Sequence, residues 1–133
     1  MKILIIDDDK YLGKVVKEIL ELEGFDVEEC VDIEGIDDLL EKQDFFPDVI
    51  ILDPFNDFTF GKNINDESRI YTLVKKQIEI IFGKLDSHVK VIVFSAWDIA
   101  EQVEKTKNDF PPDTIIKFNN KGIKNLINEL RRL

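Results

Sequence analysis

Four short apolar runs of this chain are each followed directly by a reactive polar side chain. Near-continuous apolar runs of about four to six residues are typical of strands that are buried on both faces, as in parallel sheets. Because ligand sites of open α/β sheets lie outside the carboxyl ends of the strands, we expect these polar groups to meet at one edge. The runs and the residues that follow them are Ile3–Ile6 before Asp7 and Asp8, Val49–Leu52 before Asp53, Val91–Phe94 before Ser95, and Ile115–Ile116 before Lys117.

Helical periodicity fills the intervals between the runs, and Asp9 is the expected N-cap of the first helix. Five strands alternating with five helices predict an α/β fold, a three-layer, doubly wound sandwich around a five-stranded parallel sheet. A strand order of 2-1-3-4-5 would place the first and third strands side by side, and so bring Asp7, Asp8 and Asp53 together. The expected helices cover residues 10–23, the region around 36–40, residues 67–85 and 98–108, and the region from about 121 onward, with a shorter strand in 25–31.

Charge and cysteine content limit the function. The 133 residues suffice for one domain with a buried core. A formal charge of -10, from 18 basic and 28 acidic side chains, argues against direct binding to nucleic acid or to an anionic membrane. No apolar run approaches the roughly 20 residues that span a bilayer. The single cysteine, Cys30, excludes an internal disulfide and fits a reducing compartment, so we expect a cytoplasmic protein.

Three aspartates at one sheet edge would repel one another. At a separation of ~4 Å and an effective dielectric constant near 20, each like-charge pair costs about 4 kcal/mol, which would push one carboxylate toward protonation. Mg²⁺ would relieve this repulsion and neutralise charge on a transferring phosphoryl group. Asp53 is then the natural nucleophile, while Ser95 and Lys117 could each contact a phosphoryl oxygen. The pattern therefore predicts a Mg²⁺-assisted phosphoryl site.

The chain resembles the receiver domains of response regulators in two-component signalling over essentially all its residues. The resemblance implies that Asp53 is the phosphoacceptor. It also implies that Asp7, Asp8 and Asp53 bind Mg²⁺ together with the backbone carbonyl of Phe55. The segments that carry the resemblance are ILIIDDD, PDVIILD, VIVFSA and IIKF, each at the end of an expected strand.

The same resemblance implies roles for the residues that follow the fourth and fifth strands. Ser95 would be the conformational-switch hydroxyl, Ala96 the small residue beside the phosphoryl group, and Lys117 the phosphoryl-binding lysine. A histidine kinase or phosphotransfer protein would donate the phosphoryl group to Asp53. A shift of the face made by the fourth helix, fifth strand and fifth helix would then signal to a downstream protein. We expect residues 1–133 to form a single receiver domain without an output domain, monomeric or weakly dimeric, and not a turnover enzyme.

Several positions depart from the pattern of that family. Pro54, directly after the acceptor, keeps Asp53 away from the α region and removes the next backbone donor. Thr114 stands three residues before Lys117, where the family usually has an aromatic switch residue, so the usual hydroxyl–aromatic coupling cannot operate in its ordinary form. A long polar loop, residues 54–66, follows Asp53. We therefore expect an intact phosphorylation site and a divergent output surface.

Two other functions remain open on the sequence alone. A pseudo-receiver would bind partners without phosphorylation, which the departures at Pro54 and Thr114 and the inserted loop 54–66 favour. A haloacid-dehalogenase-like phosphatase would use Asp7 as its nucleophile, since Asp7 and Asp9 have the D-x-D spacing of such enzymes. Tyr11 stands against this second alternative, because those enzymes usually have Thr or Val at that place. The identity of the nucleophile, Asp53 or Asp7, separates a receiver from a phosphatase.

Overall fold

Five parallel strands form one sheet in the order β2-β1-β3-β4-β5 in the computed structural model, which describes residues 1–55, 67–96, 98–118 and 122–133. This order and the α/β class are those predicted. Within the described residues, five helices alternate with the strands. The elements are β1 (Lys2–Ile6), α1 (Lys10–Leu22), β2 (Asp26–Cys30), α2 (Gly35–Lys42), β3 (Val49–Leu52), α3 (Glu67–Lys84), β4 (Lys90–Val93), α4 (Ala100–Lys107), β5 (Ile115–Ile116) and α5 (Ile123–Arg131).

Local signals explain where α1 begins and ends. The Asp9 side chain accepts a hydrogen bond of 3.1 Å from the Leu12 N–H, so Asp9 is the predicted N-cap. After the helix, Gly24 adopts a φ of 93°, a left-handed conformation that side chains disfavour and that reverses the chain into β2. Between these ends, Val16 and Leu20 are buried against the sheet.

The sheet is covered on both faces, which explains why its strands read as continuous apolar runs. Alternate residues of each strand point to opposite faces, so Leu4 and Ile6 pack on one side while Ile3 and Ile5 pack on the other. The first side is covered by α2, α3 and α4, and the second by α1 and α5. The three fully buried residues of α3, which fix this long helix to the sheet, are Val74, Ile78 and Ile81.

The strand register brings the predicted polar residues to one edge. Ile6 pairs with Leu52, and Leu52 pairs with Val93, so the residues that follow these strands leave the sheet side by side. The Asp53 N–H donates to the Ile6 carbonyl at 3.0 Å, which carries the β1–β3 ladder one residue further. Ile116 pairs with Ile92 in β4, so Lys117 leaves the sheet at the same edge.

Two further predictions concern the long loop after Asp53 and the absence of membrane-spanning segments. Of the predicted loop 54–66, only residues 54 and 55 are described, so the place of its remainder lies outside the described residues. None of the helices in the described ranges combines the length and the apolar character that crossing a membrane requires.

Candidate functional site

The carboxylates of Asp7, Asp8 and Asp53 form an acidic site at the carboxyl edge of β1 and β3. Asp7 is buried, Asp53 is partly buried and Asp8 is exposed. The pKa of Asp53 is raised to about 7, mainly by burial and to a smaller extent by the charges of Asp7 and Asp8. Burial likewise raises the pKa of Asp7 to about 6, again with a contribution from the Asp8 charge. The repulsion expected from the sequence is therefore present, but desolvation is the larger effect.

Two hydrogen bonds orient the Asp53 carboxylate and oppose this rise in its pKa. The Phe55 N–H donates to Asp53 Oδ1 at 3.0 Å, and the buried Ser95 hydroxyl donates to the same carboxylate. Pro54 has no N–H, so the first backbone donor after the acid is two residues away. The structure thus joins Asp53 to Ser95 as the strand pattern predicted.

A residue that the sequence analysis did not single out contacts the same turn. The Gln77 side chain, from the middle of α3, donates from Nε2 to the Pro54 carbonyl at 2.7 Å. The Phe55 side chain is 7% exposed and belongs to the core on the α2–α3–α4 side. A carbonyl in a buried turn needs a donor, but the sequence does not indicate which helix supplies it. The Phe55 carbonyl remains a predicted metal ligand.

Lys117 lies at the predicted edge, but its ammonium is bound elsewhere. Its Nζ is 3.5 Å from Oε1 of Glu104 on α4, in an ion pair whose side chains are 36% and 49% exposed.

The predicted switch positions are placed as follows. Ala96 is exposed directly after Ser95. Thr114 is buried at the start of β5, where its hydroxyl donates to the Pro111 carbonyl at 2.6 Å and its own carbonyl accepts from the Val91 N–H. The Thr114 side chain is therefore held by its local turn.

Solved structures with the same fold cover nearly the whole chain. The receiver domain of a Francisella response regulator matches with a TM-score of 0.58 at 22% identity, over 98% of this chain and 93% of that one. A two-component response regulator from Clostridium difficile matches with a TM-score of 0.63 at 19% identity, over 99% and 93%. A CheY-like response regulator receiver domain protein from Methanospirillum hungatei matches with a TM-score of 0.59 at 22% identity, over 98% and 90%.

The protein has the receiver-domain fold. No protein-family model and no curated protein matches its sequence. The receiver fold places the carboxyl edge of β1, β3, β4 and β5, with the acidic site, at the surface of the molecule. Asp8 and Asp53 line a groove of about 420 Å³ together with Val31, directly after β2, and with Leu73 and Ile80 on α3.

The donor groups at this edge of the receiver fold suit a hard divalent cation. Mg²⁺ takes oxygen ligands and usually needs only one or two carboxylates besides water and phosphate oxygens. Asp8 and Asp53, which both line the groove, offer such oxygens. In the part of the chain that the structure describes, no group of three or more histidine, cysteine, aspartate or glutamate side chains is arranged to hold a metal ion. The fit to Mg²⁺ therefore depends on few protein ligands.

Proposed function

We propose that the protein is a receiver domain that accepts a phosphoryl group on Asp53 with Mg²⁺ and signals through a change of its surface. The observation that carries this proposal is the position of Asp53, which ends the central strand β3 of a receiver fold between two aspartates and the Ser95 hydroxyl. The phosphoryl donor would be a histidine kinase or phosphotransfer protein, and a downstream protein would bind the altered surface. The role is that of a signalling domain and not of a turnover enzyme.

The proposed transfer requires an ionised Asp53. Its carboxylate oxygen forms a bond to phosphorus while the bond from phosphorus to the donor nitrogen breaks, and the released imidazole takes up a proton. Asp7, Asp8 and Asp53, with the Phe55 carbonyl, would hold Mg²⁺, which would neutralise the charge developing on the phosphoryl group. The Ser95 hydroxyl, which donates to the Asp53 carboxylate, would contact a phosphoryl oxygen.

The ion pair of Lys117 suggests how the phosphoryl group would reach the surface. An aspartyl phosphate carries more negative charge than Glu104 and lies at the same sheet edge. Lys117 would exchange Glu104 for the phosphoryl group, which would leave Glu104 without its partner and alter the contact between β5 and α4. This exchange assigns the signalling change to a charge on α4, in a chain where Thr114 cannot provide an aromatic switch.

Phosphorylation can be tested by incubating the protein with acetyl phosphate and Mg²⁺ and measuring its intact mass. We expect a Mg²⁺-dependent phosphoryl adduct that is absent in Asp53→Ala. The same assay on Asp7→Ala separates the remaining candidates. Continued turnover of acetyl phosphate that survives Asp53→Ala and stops in Asp7→Ala would instead establish a phosphatase.

A pseudo-receiver is the second candidate, and the pairing of Lys117 with Glu104 favours it, because the lysine is not directed at the acidic site. In that case the folded wild-type protein would form no adduct with acetyl phosphate. It would also bind no beryllofluoride in the presence of Mg²⁺, as followed by NMR. Binding of beryllofluoride to the wild type but not to Asp53→Ala would exclude the pseudo-receiver.

A further inference from the structure

We infer that Gln77 is a positioning residue for the phosphoacceptor, because it orients the peptide group whose N–H binds Asp53. The inference rests on the proposed function, in which Asp53 is the nucleophile. It assigns a role in the reaction to α3, a helix that does not carry any of the residues predicted to form the site.

The geometry joins three groups through one peptide unit. The Pro54 carbonyl and the Phe55 N–H are the two ends of the same planar peptide group. Gln77 Nε2 donates to this carbonyl at 2.7 Å, and the N–H at the other end donates to Asp53 Oδ1 at 3.0 Å. Hydrogen bonds in such a chain polarise one another, so the donor on α3 strengthens the bond that Asp53 receives.

The local sequence makes this support necessary. Pro54 supplies no N–H, so the carboxylate depends on the peptide that follows it. That peptide lies outside the sheet ladder, at the point where the chain leaves β3. The buried Phe55 side chain holds one end of the turn, and Gln77 holds the carbonyl in the middle of it.

Gln77 is suited to this role because its helix is rigidly placed. Its immediate neighbour Ile78 is fully buried in the core beneath α3, and Val74 and Ile81 are buried on the same face. A donor carried by a fixed helix needs only its own side chain to be ordered in order to reach the Pro54 carbonyl. The position of the Pro54 carbonyl is therefore fixed by a helix that packs on the core.

The orientation of the carboxylate should control the rate of phosphorylation. A misplacement of about 1 Å at a reacting group can reduce a rate by about 10²-fold. With Oδ1 bound by the Phe55 N–H, the plane of the Asp53 carboxylate is fixed when the donor arrives. Loss of the Gln77 contact should therefore slow formation of the adduct by about 10-fold to 100-fold while the fold is retained.

Two substitutions of Gln77 and one elsewhere on its helix test this inference. Gln77→Leu removes the donor at similar size, and Gln77→Glu replaces it with an acceptor that faces the Pro54 carbonyl. Glu79→Gln changes an exposed side chain of α3 at constant size, away from the residues that line the groove, and serves as the control. The rate of adduct formation from acetyl phosphate with Mg²⁺ is measured for each. The proton shift and hydrogen exchange of the Phe55 amide are measured by NMR without any phosphodonor.

We expect both Gln77 variants to shift the Phe55 amide proton upfield, to speed its exchange about 10-fold or more, and to slow phosphorylation, with Glu79→Gln close to wild type. A Phe55 amide that is unchanged in Gln77→Leu overturns the inference. So does an equal loss of rate in Glu79→Gln. Failure of the wild type to form an adduct, with the Phe55 amide shifted in Gln77→Leu, overturns the receiver function and leaves Gln77 with a purely structural contact.

Discussion

Removal of the charge on Asp53 should stabilise the protein at high pH and have little effect at low pH. Burial and neighbouring charges raise the pKa of Asp53 from 3.8 to about 7 on folding, so the folded protein binds a proton there more tightly than the unfolded chain does. The stability associated with this proton is fully present below the unfolded pKa and is lost as the pH rises toward 7. Asp53→Asn keeps a similar shape without the charge, so it does not suffer this loss.

The magnitude follows from the two pKa values. Each pKa unit corresponds to about 1.4 kcal/mol, so ionised Asp53 lowers the free energy of unfolding by about 4 kcal/mol at pH 8 and by about 0.6 kcal/mol at pH 4. Folded proteins typically have a free energy of unfolding of only about 5–15 kcal/mol, so a difference of this size is a large part of the total. With a urea m-value of about 2 kcal/mol/M, the midpoint of Asp53→Asn should exceed that of the wild type by about 2 M at pH 8.

Urea unfolding of both proteins at pH 4 and pH 8 measures this difference, with Asp26→Asn as a control at an exposed aspartate. Added Mg²⁺ at pH 8 should raise the midpoint of the wild type, because a ligand of the folded state stabilises it, and should have less effect on Asp53→Asn. A gain in stability that is the same at both pH values would refute the reasoning. So would a loss of stability in Asp53→Asn at pH 8.

Three further substitutions test other parts of the structure. Glu104→Gln releases Lys117 from an exposed ion pair, so we expect the free energy of unfolding to change by less than about 1 kcal/mol. Beryllofluoride should bind this variant more tightly in an NMR titration, and weaker binding would contradict the proposed exchange. Gly35→Ala places a Cβ 2.6 Å from the Cys30 Cβ and should cost about 1–3 kcal/mol in urea unfolding. Gly83→Ala, in α3, adds a Cβ that points into open space and should raise the free energy of unfolding by about 0.5–1 kcal/mol. A urea midpoint that is higher for Gly35→Ala than for Gly83→Ala would contradict both assignments.

Most of the fold could be predicted because it depends on periodicity along the chain. The run Val49–Leu52 is a strand with the predicted bounds, and the predicted helix over 67–85 is the observed Glu67–Lys84. A strand that is buried on both faces is typical of a parallel sheet covered by helices on each side. Right-handed crossovers between such strands then limit the possible strand orders. The shorter strand expected in 25–31 is Asp26–Cys30, since Phe25 packs against the core before the ladder begins and Val31 is exposed after the ladder ends.

The contacts within the site could be predicted only in part. Asp53 and Ser95 meet because strand register determines where they lie, and both follow neighbouring strands. Lys117 is placed by the same register, but register does not determine which carboxylate a long, rotatable side chain reaches, and this side chain pairs with Glu104. The contact of Gln77 joins residues 23 positions apart from a helix and a turn, and no periodic pattern encodes it.

The proline after Asp53 also protects the backbone chemically. The backbone nitrogen of the residue after an aspartate can attack the aspartyl side chain and close a succinimide ring. Hydrolysis of this ring can leave an isoaspartyl linkage in the chain. Phosphorylation would make the carboxyl carbon a better target for that attack. Pro54 has no proton on its nitrogen, so this ring cannot form by the usual route. The residue that removes a hydrogen-bond donor from the site would therefore also block succinimide formation at a phosphorylated Asp53.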